Sequence, residues 1–87
     1  MELTNSATNP AGDVLVRMTY DAEANAAMIY LKGRIEPGEA VRQHTITLET
    51  ADIVLDFSTD DLLLGIEIIG ARAIIPAEAL AAAEQLG

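Results

Sequence analysis

Apolar and polar residues alternate along two neighbouring stretches of the chain, residues 14–20 and 26–32. A period of two is typical of a strand with one buried face, so both stretches are predicted to be β-strands. Joining them through the loop 22–25 places their apolar side chains on one continuous face, which indicates a hairpin in that register. Within the turn, we expect the Asp21 carboxylate to accept backbone N–H groups and Asn25 to adopt the left-handed conformation.

Three more strands are predicted further along the chain. Residues 40–48 are rich in threonine and β-branched residues but only weakly amphipathic, which is typical of an edge strand. Residues 53–57 and 62–69 are predicted to form a second hairpin with Phe57 opposite Leu62, since this pairing aligns their apolar positions. The second strand of this hairpin is expected to be the central strand of the sheet.

An alanine-rich run that begins at Pro76 and ends at Gly87 predicts one short helix, because proline favours the first helical position. Together the elements predict an α+β fold: an antiparallel β-meander of about five strands with one C-terminal helix. Residues 1–13 are mostly small or polar and are predicted to form a flexible N-terminal lead-in. Residues 14–87 are then a single α+β domain.

One face of the predicted sheet is more apolar than a solvated face normally is. The apolar residues that share it are Leu15, Met28, Tyr30, Val54, Leu63 and Ile69. One short helix covers only part of a sheet, so we expect a second copy of the chain to bind by face packing or edge pairing, which gives a homodimer. The alternative is that these are the scattered apolar residues found on any monomer.

The chain is strongly acidic, with 14 acidic and 5 basic residues and a formal net charge of -9. Such a charge repels nucleic acids and anionic membranes, which are therefore not expected partners, and favours a basic protein partner. The alternative is that the charge serves only solubility. The chain has no cysteine, no signal-peptide pattern at its start and no apolar run long enough to cross a bilayer, so a cytoplasmic location is expected.

Two short motifs resemble the small bacterial family catalogued as domain of unknown function 2283. They are Tyr-Asp-Ala-Glu-Ala-Asn-Ala at residues 20–26 and Leu-Gly-Ile-Glu-Ile at residues 64–68, with Asp56 between them. The resemblance covers about residues 16–72. It implies a bacterial or archaeal single-domain protein with a β-meander and no established activity. Members of similar families are sometimes encoded beside toxin-like proteins, so the resemblance also implies an antitoxin-like, partner-binding role.

The chain departs from the family pattern at two positions that bear on chemistry. Asn25 stands where the family usually has aspartate, and Met28 stands where it usually has tyrosine. A chemical role of those two family residues is therefore in doubt here. The retained positions are Asp21, Glu23, Asp56, Gly65 and Glu67.

Asp56 and Glu67 are the best candidates for acid–base chemistry, because the predicted hairpin places both on one sheet face and on neighbouring strands. Two carboxyls with separated pKa values would suit a small hydrolase or isomerase at a dimer cleft. The opposing interpretation has both as solvated charges, with Asp56 opposite Leu63 and Glu67 opposite Asp52. Gly65, inside the same strand, is interpreted as a β-bulge position.

The leading functional hypothesis is a non-enzymatic protein-interaction module, antitoxin-like in role, that self-associates and binds a basic protein. The expected partner-binding residues are Glu23, Tyr30, Asp56, Asp60, Asp61 and Glu67. No catalytic, cofactor or metal residues are assigned under this hypothesis. The turn 58–61 lacks the spaced ligands of a calcium loop, and no nucleophile motif surrounds Ser58 to pair it with His44.

Overall fold

A computed structural model describes residues 16–86, so the predicted lead-in 1–13, the start of the first predicted strand and Leu15 lie outside the described residues. Six strands form one mixed sheet, and two short helices follow its fifth strand. The elements are β1 (Arg17–Asp21), β2 (Ala26–Tyr30), β3 (Arg42–Thr47), β4 (Asp52–Phe57), β5 (Leu63–Ile69), α1 (Ala71–Ile74), α2 (Ala77–Ala82) and β6 (Glu84–Leu86).

The predicted antiparallel meander is wrong, because the strands lie in the order β3-β4-β5-β2-β1-β6. Strand β5 pairs with both β4 and β2, so β2 and β3 are not neighbours. The reason is burial: β5 carries apolar residues on both parities and suits the interior of the sheet, whereas every residue of β3 is exposed. The predictions that β5 is central and β3 is an edge strand are confirmed.

The single predicted C-terminal helix is also wrong. The chain forms a one-turn helix α1, a second short helix α2, and then β6, which pairs parallel to β1 and makes the sheet mixed. Ala83 is already extended, and the Gln85 amide donates to the carbonyls of Leu80 at 2.9 Å and Ala83 at 2.7 Å. A helix of six residues has little stability by itself. If the helix continued, the outer N–H and C=O groups of β1 would have no strand to pair with, whereas β6 pairs with them.

The first hairpin matches its prediction in register and in turn chemistry. Tyr20 faces Ala27, and the Asp21 carboxylate accepts the N–H groups of Glu23 at 3.1 Å and Ala24 at 3.2 Å. Asn25 has a φ of 55°, in the left-handed region. Its side-chain oxygen also accepts the N–H of Arg72 at 2.8 Å, at the start of α1.

The second hairpin forms, but its predicted register is wrong by two residues along most of its length. Phe57 faces Leu63 and not Leu62, and the ladder then shifts so that Asp56 faces Gly65. The irregularity lies beside Gly65, as the bulge interpretation requires. A shift of two preserves the face of every side chain, because successive residues of a strand point to opposite faces.

The helices cover one face of the sheet. Side chains of β1, β2 and β5 pack there against both helices in a cluster of Tyr20, Ala27, Ile68, Ala71 and Leu80. Strand alternation sends the other side chains to the opposite face, which we call the open face. Its members include Arg17, Thr19, Asp21, Met28, Tyr30, Gln43, Thr45, Asp52, Val54, Asp56, Gly65, Glu67 and Ile69.

Candidate functional site

Glu67 lies at the centre of the open face. It is the fifth of the seven residues of β5, and it is directly opposite Met28 of β2 on one side and Val54 of β4 on the other. Val54 is buried and Met28 is half-buried, so the carboxyl group has apolar neighbours across both strands. A charge in such a position loses part of its hydration.

The bulge in the second hairpin brings Asp56 next to Glu67. Because Asp56 faces Gly65 and not Leu63, it is diagonal to Glu67 on the neighbouring strand. When Glu67 is protonated, its carboxyl group can donate a hydrogen bond to Asp56. The prediction that they share a face is confirmed, whereas the predicted pairs Asp56–Leu63 and Glu67–Asp52 are wrong.

Gln43 of β3 holds the pair from the other side. Its amide nitrogen donates to the Asp56 carboxylate at 2.7 Å and lies 3.4 Å from the Glu67 carboxyl oxygen. Asp56 is only 3% exposed, and a buried carboxylate needs such donors. Three adjacent strands, β3, β4 and β5, therefore each contribute one side chain to the site, which we call the carboxyl pair with its glutamine.

The hydrogen bond that protonated Glu67 donates to Asp56 raises the pKa of Glu67 to about 7, with further contributions from burial and from the negative charge of Asp56. Glu67 is thus half-protonated near neutral pH. A protonated carboxyl donates a hydrogen bond, and an ionised one only accepts. The site can therefore exchange a proton within the physiological range.

A shallow depression of about 310 Å³ on the open face reaches Glu67. It is lined by Thr19, Asp21, Ala26, Ala27, Met28, Tyr30, Glu67, Ile69 and Leu86. Ile69 is 48% exposed and Leu86 is 47% exposed, so its rim is apolar and open to solvent. A larger depression of about 480 Å³ lies between β1 and α2, but small apolar residues line most of it and its Arg17 and Glu84 already form an ion pair.

The six residues expected to bind a partner do not form one patch. Asp56, Glu67 and Tyr30 lie on the open face, where the Arg17 guanidinium stacks over the Tyr30 ring at 4.3 Å. Glu23 lies in the β1–β2 turn at one end of the sheet. The β4–β5 turn with Asp60 and Asp61 lies at the other end, because β4 and β1 run in opposite directions.

Asp61 has a local role. Its carboxylate forms an ion pair with Arg42 at 2.8 Å, and its φ of 62° closes the turn. The Asp61 side chain is 75% exposed, so this is a weak surface ion pair that leaves the carboxylate accessible.

Two contributors to the site were missed at the level of sequence. Gln43 lies in a weakly patterned edge strand, and only the β3–β4 register places it opposite Asp56. Ile35 lies in an irregular loop, yet its side chain approaches Gly65 so closely that a Cβ there would be 2.9 Å from the Ile35 Cδ1 atom. The glycine in β5 is the one signal for this close approach, since a side chain at that position would collide with its neighbours.

Within residues 16–86, no group of three or more histidine, aspartate or glutamate side chains is placed to hold a metal ion. In the same range, the helices are all too short to cross a bilayer.

Fold and site define a small domain built on a mixed sheet, with one face covered by helices and an open face that carries a proton-sharing carboxyl pair. The family model described as protein of unknown function (DUF2283) matches residues 17–72, which is more than half of the chain. The chain belongs to this family, and the predicted resemblance is confirmed. No curated protein and no solved structure matches the chain.

Proposed function

We propose that this domain is a non-enzymatic protein-interaction module that self-associates and binds a basic protein partner through its open face. The observation that carries the proposal is the open face itself, where exposed apolar side chains surround acidic groups on a sheet that the described helices cover from one side only. We expect it to act in the bacterial cytoplasm, in an antitoxin-like role.

The apolar part of the open face supports a binding role. Ile69 and Leu86 are about half exposed at the rim of the depression, and Met28 and Tyr30 are half-buried within it. Rigid strands position these side chains, so a partner does not have to order them on binding. Aromatic and apolar residues in the centre of a polar rim are typical of interaction surfaces.

The charge of the open face supports a basic partner. Asp21, Asp52, Asp56 and Glu67 lie on it, against one arginine, Arg17. That arginine is already engaged, because it forms an ion pair with Glu84 at 3.2 Å and donates to the Gly33 carbonyl at 2.7 Å. An acidic surface in a chain of net charge -9 accelerates and selects the approach of a cationic partner.

Affinity capture from the native host with tagged protein tests the proposal. We expect wild-type protein to retain a basic protein at about 50 mM salt and to retain clearly less of it at about 300 mM salt, because screening weakens the attraction. Ile69→Lys should reduce the retained amount about tenfold, since it removes an apolar contact and adds a repulsive charge.

Ala81→Lys is the matched control for this capture. It adds the same charge on the exposed side of α2, across the sheet from the open face, and should leave retention unchanged. The proposal fails if wild-type protein captures nothing, if capture is indifferent to salt, or if both variants lose the partner equally.

The second candidate function is a small hydrolase or isomerase that uses Asp56 and Glu67 as base and acid. The contact between the two carboxyls favours it, because sharing one proton is how paired carboxyls divide acid and base roles. Glu67 also lines the depression, so its proton is within reach of a small molecule. Asp56 is buried behind it and would act through Glu67.

A panel of chromogenic ester, phosphoester and glycoside substrates tests this candidate. If it is right, turnover shows a pH dependence with a midpoint near 7, and Glu67→Gln lowers turnover by about a hundredfold or more. Glu23→Gln, in the exposed β1–β2 turn, should have no effect. Turnover that both variants retain in full comes from a contaminant or from another site, and excludes the candidate.

A further inference from the structure

Strand β3 ends the sheet with one side unpaired. Its six residues pair with β4 in an unbroken register, and among residues 16–86 no strand lies on its other side. All six residues are exposed. An edge of this kind presents a row of free N–H and C=O groups that pair readily with another strand.

The groups that point outward can be identified from the turn at the end of β3. The N–H of Leu48 donates to the carbonyl of Ala51 at 2.8 Å, so the backbone of residue 48 faces β4. In an antiparallel ladder the inward and outward positions alternate. The backbone groups of Gln43, Thr45 and Thr47 therefore point away from β4 and into solvent.

Nothing in β3 blocks a neighbour. Proteins usually protect an edge with proline, lysine or a bulge, and Arg42–Thr47 contains none of these. Residues 40–48 also contain no acidic side chain, although the chain has a net charge of -9. Two copies of an acidic protein repel each other least where that charge is missing.

Apolar residues in and beside β3 also favour contact with a second copy of the chain. Val41, Ile46 and Leu48 are all exposed in the described chain. The opposite edge of the sheet is a poorer candidate, since β6 has only three residues and includes Glu84, which is committed to Arg17.

We propose that two copies of this chain pair antiparallel through their β3 edges, with Thr45 of one copy opposite Thr45 of the other. This inference rests on the self-association in the proposed function. Opposite residues in a sheet point to the same side, so a symmetric pair must place one residue opposite its own counterpart. Centring the pair on His44 would oppose two imidazole rings. Centring it on Thr45 opposes Gln43 to Thr47 and His44 to Ile46, with no like charges in contact.

This pairing makes one sheet continuous across both copies. The two-fold axis is perpendicular to the sheet, so the two open faces lie on the same side and form one platform. Asp56 and its counterpart are then separated by three strand spacings across the sheet and by four residues along it, or roughly 20 Å. The dimer therefore presents two carboxyl pairs to a partner, which a monomer does not.

Sedimentation equilibrium over a wide concentration range tests the inference. Wild-type protein should be a dimer, and Thr45→Lys should raise its dissociation constant by about tenfold or more, because two lysines would then face each other at the centre of the interface. Thr50→Lys makes the same charge change in the exposed β3–β4 turn and should leave the constant unchanged. Thr45→Pro removes an outward N–H and should also dissociate the dimer; urea unfolding checks that each variant is folded.

The outcomes separate this inference from the function on which it rests. A wild-type dimer that Thr45→Lys leaves intact overturns the edge pairing but leaves self-association standing. If Ile69→Lys dissociates the dimer and Thr45→Lys does not, the interface is the open face, which also overturns the pairing. Wild-type protein that is monomeric at every concentration overturns both.

Discussion

Replacing Gly70 by alanine is expected to lower the free energy of unfolding by about 3 kcal/mol, close to the limit that a domain of this size tolerates. Gly70 joins β5 to α1 with a φ of 87°, a conformation that costs other residues about 1–2 kcal/mol. An added Cβ would also lie 2.8 Å from the Thr50 carbonyl oxygen and 3.2 Å from the Ala51 Cα atom. Both neighbours are backbone atoms, so the clash cannot be relieved by a rotamer change.

Two other glycines separate these causes. Gly38 has a φ of 83° but no atom within 4 Å of an added Cβ, so Gly38→Ala should cost only the conformational part, about 1 kcal/mol. Gly33 has neither feature, and Gly33→Ala should change stability by less than about 0.5 kcal/mol. Urea unfolding of all three variants measures the series. Equal losses for Gly70→Ala and Gly38→Ala would show that the β3–β4 turn does not pack against Gly70.

Glu67→Gln is expected to remove the fall in stability that the wild-type protein shows as the pH rises towards and past 7. The pKa of Glu67 is about 7 in the folded chain and about 4.3 in an unfolded one. Between these values the folded chain holds a proton that the unfolded chain releases. The resulting stabilisation is complete below the unfolded pKa and is lost as the pH rises through the folded pKa.

The expected loss for wild-type protein between pH 5.5 and 8 is about 1 kcal/mol, because Glu67 is partly exposed and solvent screens the interaction. Glutamine can donate to Asp56 at every pH, so the variant should be the more stable of the two at pH 8. Urea unfolding across this range measures both proteins, with Glu23→Gln as the control that should follow the wild type. Parallel curves for wild type and Glu67→Gln would mean that the carboxyl pair does not share a proton.

Proton sharing also bears on the proposed function. Above pH 7 the open face gains a charge at its centre, which strengthens its attraction for a cationic partner. Below pH 7 it presents a neutral carboxyl among Met28 and Val54, which suits an apolar contact. The two conditions thus favour different parts of the same binding surface.

The first hairpin was predictable because its information is local. Asp21 specifies the turn through bonds to groups two and three residues away, and Asn25 does so through its own backbone conformation. The turn then specifies the register. Away from the bulge, the faces of the side chains in β4 and β5 were predictable for a related reason. Alternation depends only on parity, and an error of two residues in register leaves parity intact.

The contact between Asp56 and Glu67 was not predictable in this way. It depends on the bulge beside Gly65, and a bulge is a response to packing between strands that are distant in sequence. The role of Gln43 depends on a further pairing, between β3 and β4. For the same reason the interpretation of both residues as solvated charges depended on two pairs, Asp56–Leu63 and Glu67–Asp52, that the folded sheet does not contain.

The sequence by itself determined five of the six strands, the first turn, the two faces of the sheet, the edge position of β3 and the family, because propensity, parity and short motifs act over a few residues. Only the tertiary structure decided that β5 pairs with β2, that β6 completes a mixed sheet, and that Asp56, Gln43 and Glu67 meet. These pairings and contacts depend on which strand edges and sheet faces remain free once the local elements have formed. Segments that are distant in sequence can all bind to the same free edge, so local patterns do not decide between them. The carboxyl pair on the open face forms because β5 pairs with β4 in the observed register and β4 pairs with β3.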